Sequence, residues 1–210
     1  MAVKVAPNKD FAKIASDERI ERTRQALEAN GIHVQVAEDG EQAKRMFFEL
    51  IPEGAEVFLG TSVTLEQLGI KDIIDKSGRF DAVRPRTAAM DRTTQAREIR
   101  KLSSAPDYAA GSVHAVTESG QVLIASRAGS QLGPYAYGAG NIVWVVGAQK
   151  LVKDLDEAFR RLYEYDVPRE EEHMQQLYHT GTAVNKILII NAEARPGRTT
   201  MIIVKQELGF

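Results

Sequence analysis

The chain has 210 residues, 43% of them apolar and 27% charged, with a net charge of -2 and no cysteine. That length and balance predict one globular domain with enough chain to bury a substantial core. The near-neutral, interleaved charge argues against a nucleic-acid binder or an electrostatic membrane anchor. The lack of cysteine excludes a disulfide, a thiol nucleophile and any cysteine-held zinc or iron–sulfur cluster within the chain. No stretch reaches the ~20 apolar residues of a membrane span, and the start, MAVKVAPNKD, lacks the apolar run of a signal peptide, so a cytoplasmic location is expected. The four histidines, His33, His114, His173 and His179, lack paired spacing of the H-E-x-x-H kind, and no metal is expected. His173 and His179 read as solvated surface residues, and His114 as a hydrogen-bonded structural histidine within a strand.

In chain order, residues 8–30 predict a helix, with Phe11, Ile14, Ala15, Ile20 and Leu27 on its apolar side and Asn30-Gly31 as its stop. Residues 32–37 alternate as a strand. Asp39 and Gln42 form a capping-box pattern for a helix carrying Ala43, Met46, Phe47, Leu50 and Ile51. Residues 57–59 predict a short strand, followed by Gly60-Thr61-Ser62-Val63-Thr64 and a short helical pattern through Leu65 and Leu68. A strand, a hydroxyl-rich turn and a helix start can hold an anion, because the first N–H groups of a helix are unpaired and Ser/Thr hydroxyls add donors. The competing reading is an ordinary helix cap, the commonest use of Ser and Thr at such a place.

Residues 70–77 predict another short helix, 80–83 a strand, and Arg84-Pro85-Arg86 a polar break. Asp91 is placed to cap a helix over 93–102, with Ala96 and Ile99 inward and Arg92, Arg97, Arg100 and Lys101 on a solvated face. The central stretch, residues 111–150, carries most of the pattern. Alternation over 112–117, a Glu118-Ser119-Gly120 turn and an apolar run over 122–125 read as a hairpin. A glycine-studded polar loop, 126–141, leads to an apolar run over 142–146 that fits a strand covered on both faces of a parallel sheet. A polar loop beside such a strand is where ligands sit in α/β proteins. Beyond Lys150 a helix extends to about residue 165, and Pro168 opens a charged helix over 169–178. Strands are predicted over 187–190 and 201–204. The short turn between them predicts an antiparallel edge added to an otherwise parallel sheet.

Three segments, GSVHAVTESG at 111–120, GNIVWVVGAQKLVKDLDEA at 140–158 and PGRTTMIIVKQELGF at 196–210, resemble the lactate-utilization (LUD) domain family. The resemblance covers most of the chain, implying a single LUD domain over 1–210 with residues 1–30 as an N-terminal helical segment. That family is similar in fold to ribose-5-phosphate isomerase, glucosamine-6-phosphate deaminase and the CoA transferases. The implied fold is therefore a three-layer α/β/α, Rossmann-like sheet, mostly parallel with antiparallel hairpin or edge strands. By the same resemblance, Gly60, Thr61, Ser62 and Thr64 look like a degenerate version of a phosphate-cradling loop, with Arg127, Gly129 and Lys150 completing an anion pocket. The resemblance also offers Glu118, in an E-x-G arrangement like that of CoA transferases, as a catalytic candidate, although a glutamate at a hairpin tip more often faces water.

By the same resemblance, some relatives carry cysteine clusters or act beside iron–sulfur and flavin subunits in oxidising lactate. Without cysteine, and with no G-x-G-x-x-G opening a helix, this chain cannot house that redox chemistry and is expected to bind no cofactor. The implied function is a non-redox accessory or small-anion-binding protein of lactate and organic-acid utilization. Its partners would be a small anionic metabolite, iron–sulfur or flavin subunits of a lactate-oxidising complex, or a second copy of the chain. The alternative is an isomerase or CoA/acyl-transferase-like enzyme acting on a phosphorylated or carboxylate metabolite.

Overall fold

The apolar run at 142–146 does form a strand with both faces covered. In the computed structural model, which describes residues 6–210, β7 (Asn141–Gly147) lies inside a six-stranded, wholly parallel sheet. The other strands of that sheet are β1 (His33–Ala37), β2 (Glu56–Leu59), β3 (Asp81–Ala82), β4 (Tyr108–Gly111) and β10 (Thr199–Val204), in the order β1-β10-β7-β4-β2-β3. Side chains alternate across it as a pleat requires. Val143, Val145, Ile202 and Val204 face one way, toward helices α2 (Gly40–Leu50), α3 (Val63–Gln67) and α4 (Ile70–Lys76). Ile142, Trp144, Val146, Met201 and Ile203 face the other, toward α1 (Asp17–Ala29) and the packed faces of a second sheet.

That second sheet is built on the predicted hairpin. Strands β5 (Ala115–Thr117) and β6 (Val122–Ser126) pair antiparallel, with β8 (Leu151–Val152) parallel to β5 and β9 (Lys186–Ile190) antiparallel to β6. Its inner face, with Val116, Val122 and Ile124, joins the main core. Its outer face, with Ala115, Leu123 and Ala125, is covered by α7 (Leu155–Arg161) and the π-helical turn Leu162–Asp166 that leads into α8 (Val167–Tyr178). The chain is thus an α/β fold around a mostly parallel sheet, as expected. On one side, however, the anticipated helical layer is partly a sheet, with its own helices outside it.

Several local expectations need correction. Strands β9 and β10 are not an antiparallel edge of one sheet: β9 joins the second sheet, and β10 lies between β1 and β7. All six residues of β10 are buried, so it needs a partner on each side, which an edge does not supply. The intervening turn crosses between sheets and is held by Arg198. Its guanidinium, almost fully buried, bonds Glu193 at 2.7 Å and the main-chain oxygens of Pro134, Tyr135 and Ala139.

The helix predicted over 8–30 is interrupted: a 3-10 turn, Lys9–Ala12, precedes α1, and Ser16 caps α1 by accepting the Arg19 N–H. Arg84-Pro85-Arg86 is not a break but part of a short helix, α5 (Val83–Ala88). Pro85 sits in its first turn, where the missing N–H costs nothing. Asp91 closes a tight turn onto Thr93 and Thr94 instead of capping α6 (Ala96–Ser104) directly. Asp39 caps α2 as expected, accepting the Gln42 N–H at 2.8 Å.

Candidate functional site

The β2–β3 connection, with Leu65, Ile70 and Ile74, packs on one face of the parallel sheet, and the β4–β7 connection, with Val116, Ile124 and Tyr135, on the other. Strands β2 and β4 are parallel neighbours whose onward connections lead away in opposite directions, and a crevice opens beyond their C-terminal ends, the usual ligand position in an open α/β sheet. A cavity of about 290 Å³ occupies that crevice. Its wall is contributed by Thr61, Ser62, Val63 and Thr64 after β2, Ser112, Val113 and His114 after β4, the 125–131 segment ending β6, Lys150 after β7, and Phe210 after β10. The side toward α8 adds Leu162, Asp166, Glu170, His173 and Met174.

At its base lies Lys150, 1% exposed, on a 3-10 turn Ala148–Lys150 that drops the side chain back under the sheet. Its Nζ donates to Ser112 Oγ at 3.0 Å, to Thr64 Oγ1 at 3.3 Å and to the main-chain oxygen of Phe210 at 2.9 Å. The Thr64 hydroxyl in turn donates to the Leu208 carbonyl at 3.2 Å. Burial pushes the lysine down to about 7; Arg161 acts in the same direction and Asp166 opposes them. Arg161 is fully buried, and its Nη1 donates both to the His114 carbonyl and to Asp166. Burial raises the Asp166 carboxyl to about 6, with Arg161 and Lys150 holding it back.

The imidazole of His114 accepts the Ala125 N–H at Nδ1 (3.1 Å), which places its proton on Nε2. Burial, with Lys150 and Arg161 nearby, pushes it down to about 3, so it remains neutral. On the opposite wall Ser126 Oγ accepts the Gly129 N–H at 2.8 Å and donates to Gln131, tying the 126–131 turn together.

The sequence candidates divide clearly. Thr61, Ser62, Thr64, Arg127 and Lys150 all line the cavity. Ser62 is also the cap of α3, its Oγ accepting the Leu65 N–H at 3.3 Å, so both readings of that residue describe the same place. Arg127 is exposed at the rim, its guanidinium donating to the Gly181 carbonyl at 3.3 Å. Gly60 and Gly129 stand just behind the wall. A Cβ on Gly60 would meet the Tyr135 hydroxyl at 2.8 Å, and Gly129, at φ +88, shapes the turn.

Glu118 lies elsewhere. At the hairpin tip it pairs with Arg19 at 2.6 Å and Arg22 at 3.3 Å, both on α1, and it does not line the cavity. His173 is half-buried: it lines the cavity with its ring 6.1 Å from that of Phe210, while His179 is exposed as expected. Ser112, Asp166 and Glu170 had no local signal, since only the topology brings the end of β4 and the start of α8 to one place. Among the described residues, no cluster of histidine, aspartate and glutamate is arranged to hold a metal, and no helix is long and apolar enough to cross a membrane.

A parallel sheet flanked by helices, with a cavity beyond the C-terminal ends of its strands, defines an α/β protein. The particular family follows from comparison: the LUD domain matches residues 20–208, and the chain belongs to the LUD-domain family. A crystal structure of a DUF162-family protein from Deinococcus radiodurans is similar in fold, with a TM-score of 0.57 at 10% identity, covering 91% of this chain and 99% of that one. A ribose 5-phosphate isomerase from Plasmodium falciparum overlaps 53% of this chain and 51% of its own at 15% identity, with a TM-score of 0.33. No match was found among curated proteins.

Proposed function

We propose that this LUD-domain protein binds a small organic anion, a hydroxy- or oxo-carboxylate of lactate and organic-acid metabolism, in the cavity beyond β2 and β4. The observation that carries the reading is the buried Lys150 at the base of a hydroxyl-lined crevice. Three protein oxygens take up the ammonium's hydrogens, and an anion in the crevice adds the opposite charge that a buried cation favours. Lys150 supplies charge at the base and Arg127 at the rim, while Thr61, Ser62 and Ser112 offer hydroxyls between them. In this reading the protein serves as a non-redox subunit, holding the anion beside iron–sulfur or flavin partners that carry out the electron transfer.

Thermal-shift titration with lactate, pyruvate, sugar phosphates and CoA esters at pH 6 tests this. A ligand at 100 times its Kd stabilises the fold by about 2.7 kcal/mol. The expected result is a shift with the carboxylates that is lost in Lys150→Met. No shift with any of these anions overturns the proposal.

A further inference from the structure

The three oxygens around Lys150 Nζ are not equivalent. The Phe210 main-chain oxygen can only accept. The Thr64 hydroxyl proton is committed to the Leu208 carbonyl, so toward Lys150 that oxygen also only accepts. Ser112 is different: its Oγ lies 3.0 Å from Nζ, the side chain is part-exposed to the cavity, and its proton has no other protein acceptor among the described residues. When the lysine is an uncharged amine, its two N–H bonds satisfy Thr64 and Phe210, and its lone pair is left facing Ser112. The hydroxyl proton then points at that nitrogen, the arrangement that activates a serine as nucleophile. Burial beside Arg161 lowers the lysine to about 7, so the uncharged amine is well populated near neutral pH.

Two further donors line the same cavity. His114, two residues after Ser112, carries its proton on Nε2. Ser62 Oγ accepts the Leu65 N–H and keeps its own proton for the cavity.

We infer that Ser112 and Lys150 form a nucleophile–base pair that cleaves short-chain esters or thioesters of small carboxylic acids in this cavity. The Ser112 oxygen bonds to the acyl carbon while its proton passes to Lys150 Nζ. The ester C–O or thioester C–S bond then breaks, and the departing alcohol or thiol takes that proton. Water attacks the acyl-serine, returns one proton through Lys150 to Ser112, and releases the acid. No oxidant or further reactant is required. The inference shares the cavity, though not the charge state of Lys150, with the anion-binding reading. Anion binding needs the ammonium and strengthens as pH falls, whereas acylation needs the amine and strengthens as pH rises.

The test is covalent labelling with a small fluorophosphonate, read by intact mass and peptide mapping, beside hydrolysis of p-nitrophenyl acetate, from pH 5 to 9. The groups around the lysine that titrate or carry charge are Arg161, Asp166 and His114, with Glu170 and His173 on the α8 wall. Lys150→Met separates their titration from its own. Expected is a single adduct on Ser112, forming about tenfold faster per pH unit up to the lysine's pKa and then levelling. It should be absent in Ser112→Ala and slowed at least about a hundredfold in Lys150→Met with melting checked in parallel.

Labelling only at other hydroxyls, or a Ser112 rate unchanged in folded Lys150→Met, overturns the pair. If carboxylates shift the melting curve while Ser112 stays unlabelled throughout, the pair is wrong and the anion reading stands. Labelled Ser112 without any anion shift gives the reverse.

Discussion

Replacing Lys150 by methionine tests the central physical feature, a titratable amine sealed beneath the cavity. Methionine keeps most of the stem's volume and removes the nitrogen. In the unfolded chain a lysine holds its proton up to about pH 10.4; in the folded protein burial lowers that to about 7. Between those values the unfolded state binds one more proton than the native state, so the lysine's contribution to stability rises with pH. The slope approaches about 1.4 kcal/mol per pH unit. Wild type should therefore gain about 2 to 3 kcal/mol over Lys150→Met between pH 7 and pH 9. Below pH 7 both states are protonated, and the difference between the proteins should become flat. The assay is urea unfolding of both proteins at matched ionic strength, from pH 6 to pH 9. Because every other group is common to the two, their titrations largely cancel in the difference. Parallel stability curves across pH 7–9 would refute the reasoning, since the amine would then titrate alike in both states.

Arg198→Ala removes a buried guanidinium that holds Glu193 and three main-chain oxygens. It should lose about 3–5 kcal/mol in urea unfolding, because the carboxylate left behind stays largely buried. Thr61→Ala, at an exposed lining position, should leave stability within about 0.5 kcal/mol and weaken anion binding by roughly fivefold in a thermal-shift or calorimetric titration, the loss of one hydrogen bond. Glu118→Gln should cost no more than about 1 kcal/mol through its part-exposed pairs with Arg19 and Arg22. It should leave any ligand shift unchanged, since the residue does not line the cavity. Gly209→Ala would place a Cβ 2.4 Å from Thr64 Oγ1 at a φ of +62. It should destabilise by about 1–3 kcal/mol and disturb the Phe210 contact to Lys150, visible as a changed pH dependence of unfolding.

Patterns confined to neighbouring residues were legible in the sequence: the β5–β6 hairpin, the doubly covered β7, the Asp39 cap of α2 and the cluster of Ser and Thr after β2. Each follows from side-chain periodicity or from a side chain bonding its own backbone a few residues away, so the information lies within a short window. The LUD motifs extended that view to the family and to an α/β architecture.

What the window could not contain was the pairing of distant strands. Whether β10 lies at an edge or in the interior depends on the strands it meets, β1 and β7, more than a hundred and nearly sixty residues away by number. The same holds for the cavity. Lys150, Thr61, Ser62 and Thr64 could be nominated by residue type, but Ser112, Asp166 and His173 acquire meaning only when separate elements meet at one rim. Glu118 had a suggestive local pattern, yet the packing of α1 against the hairpin tip surrounds it with arginines instead of ligand. Local chemistry determined which segments bend, cap and alternate. Which polar groups share a buried space, and hence which are driven from their ordinary protonation, was decided by tertiary packing, because desolvation and charge proximity depend on distances through space.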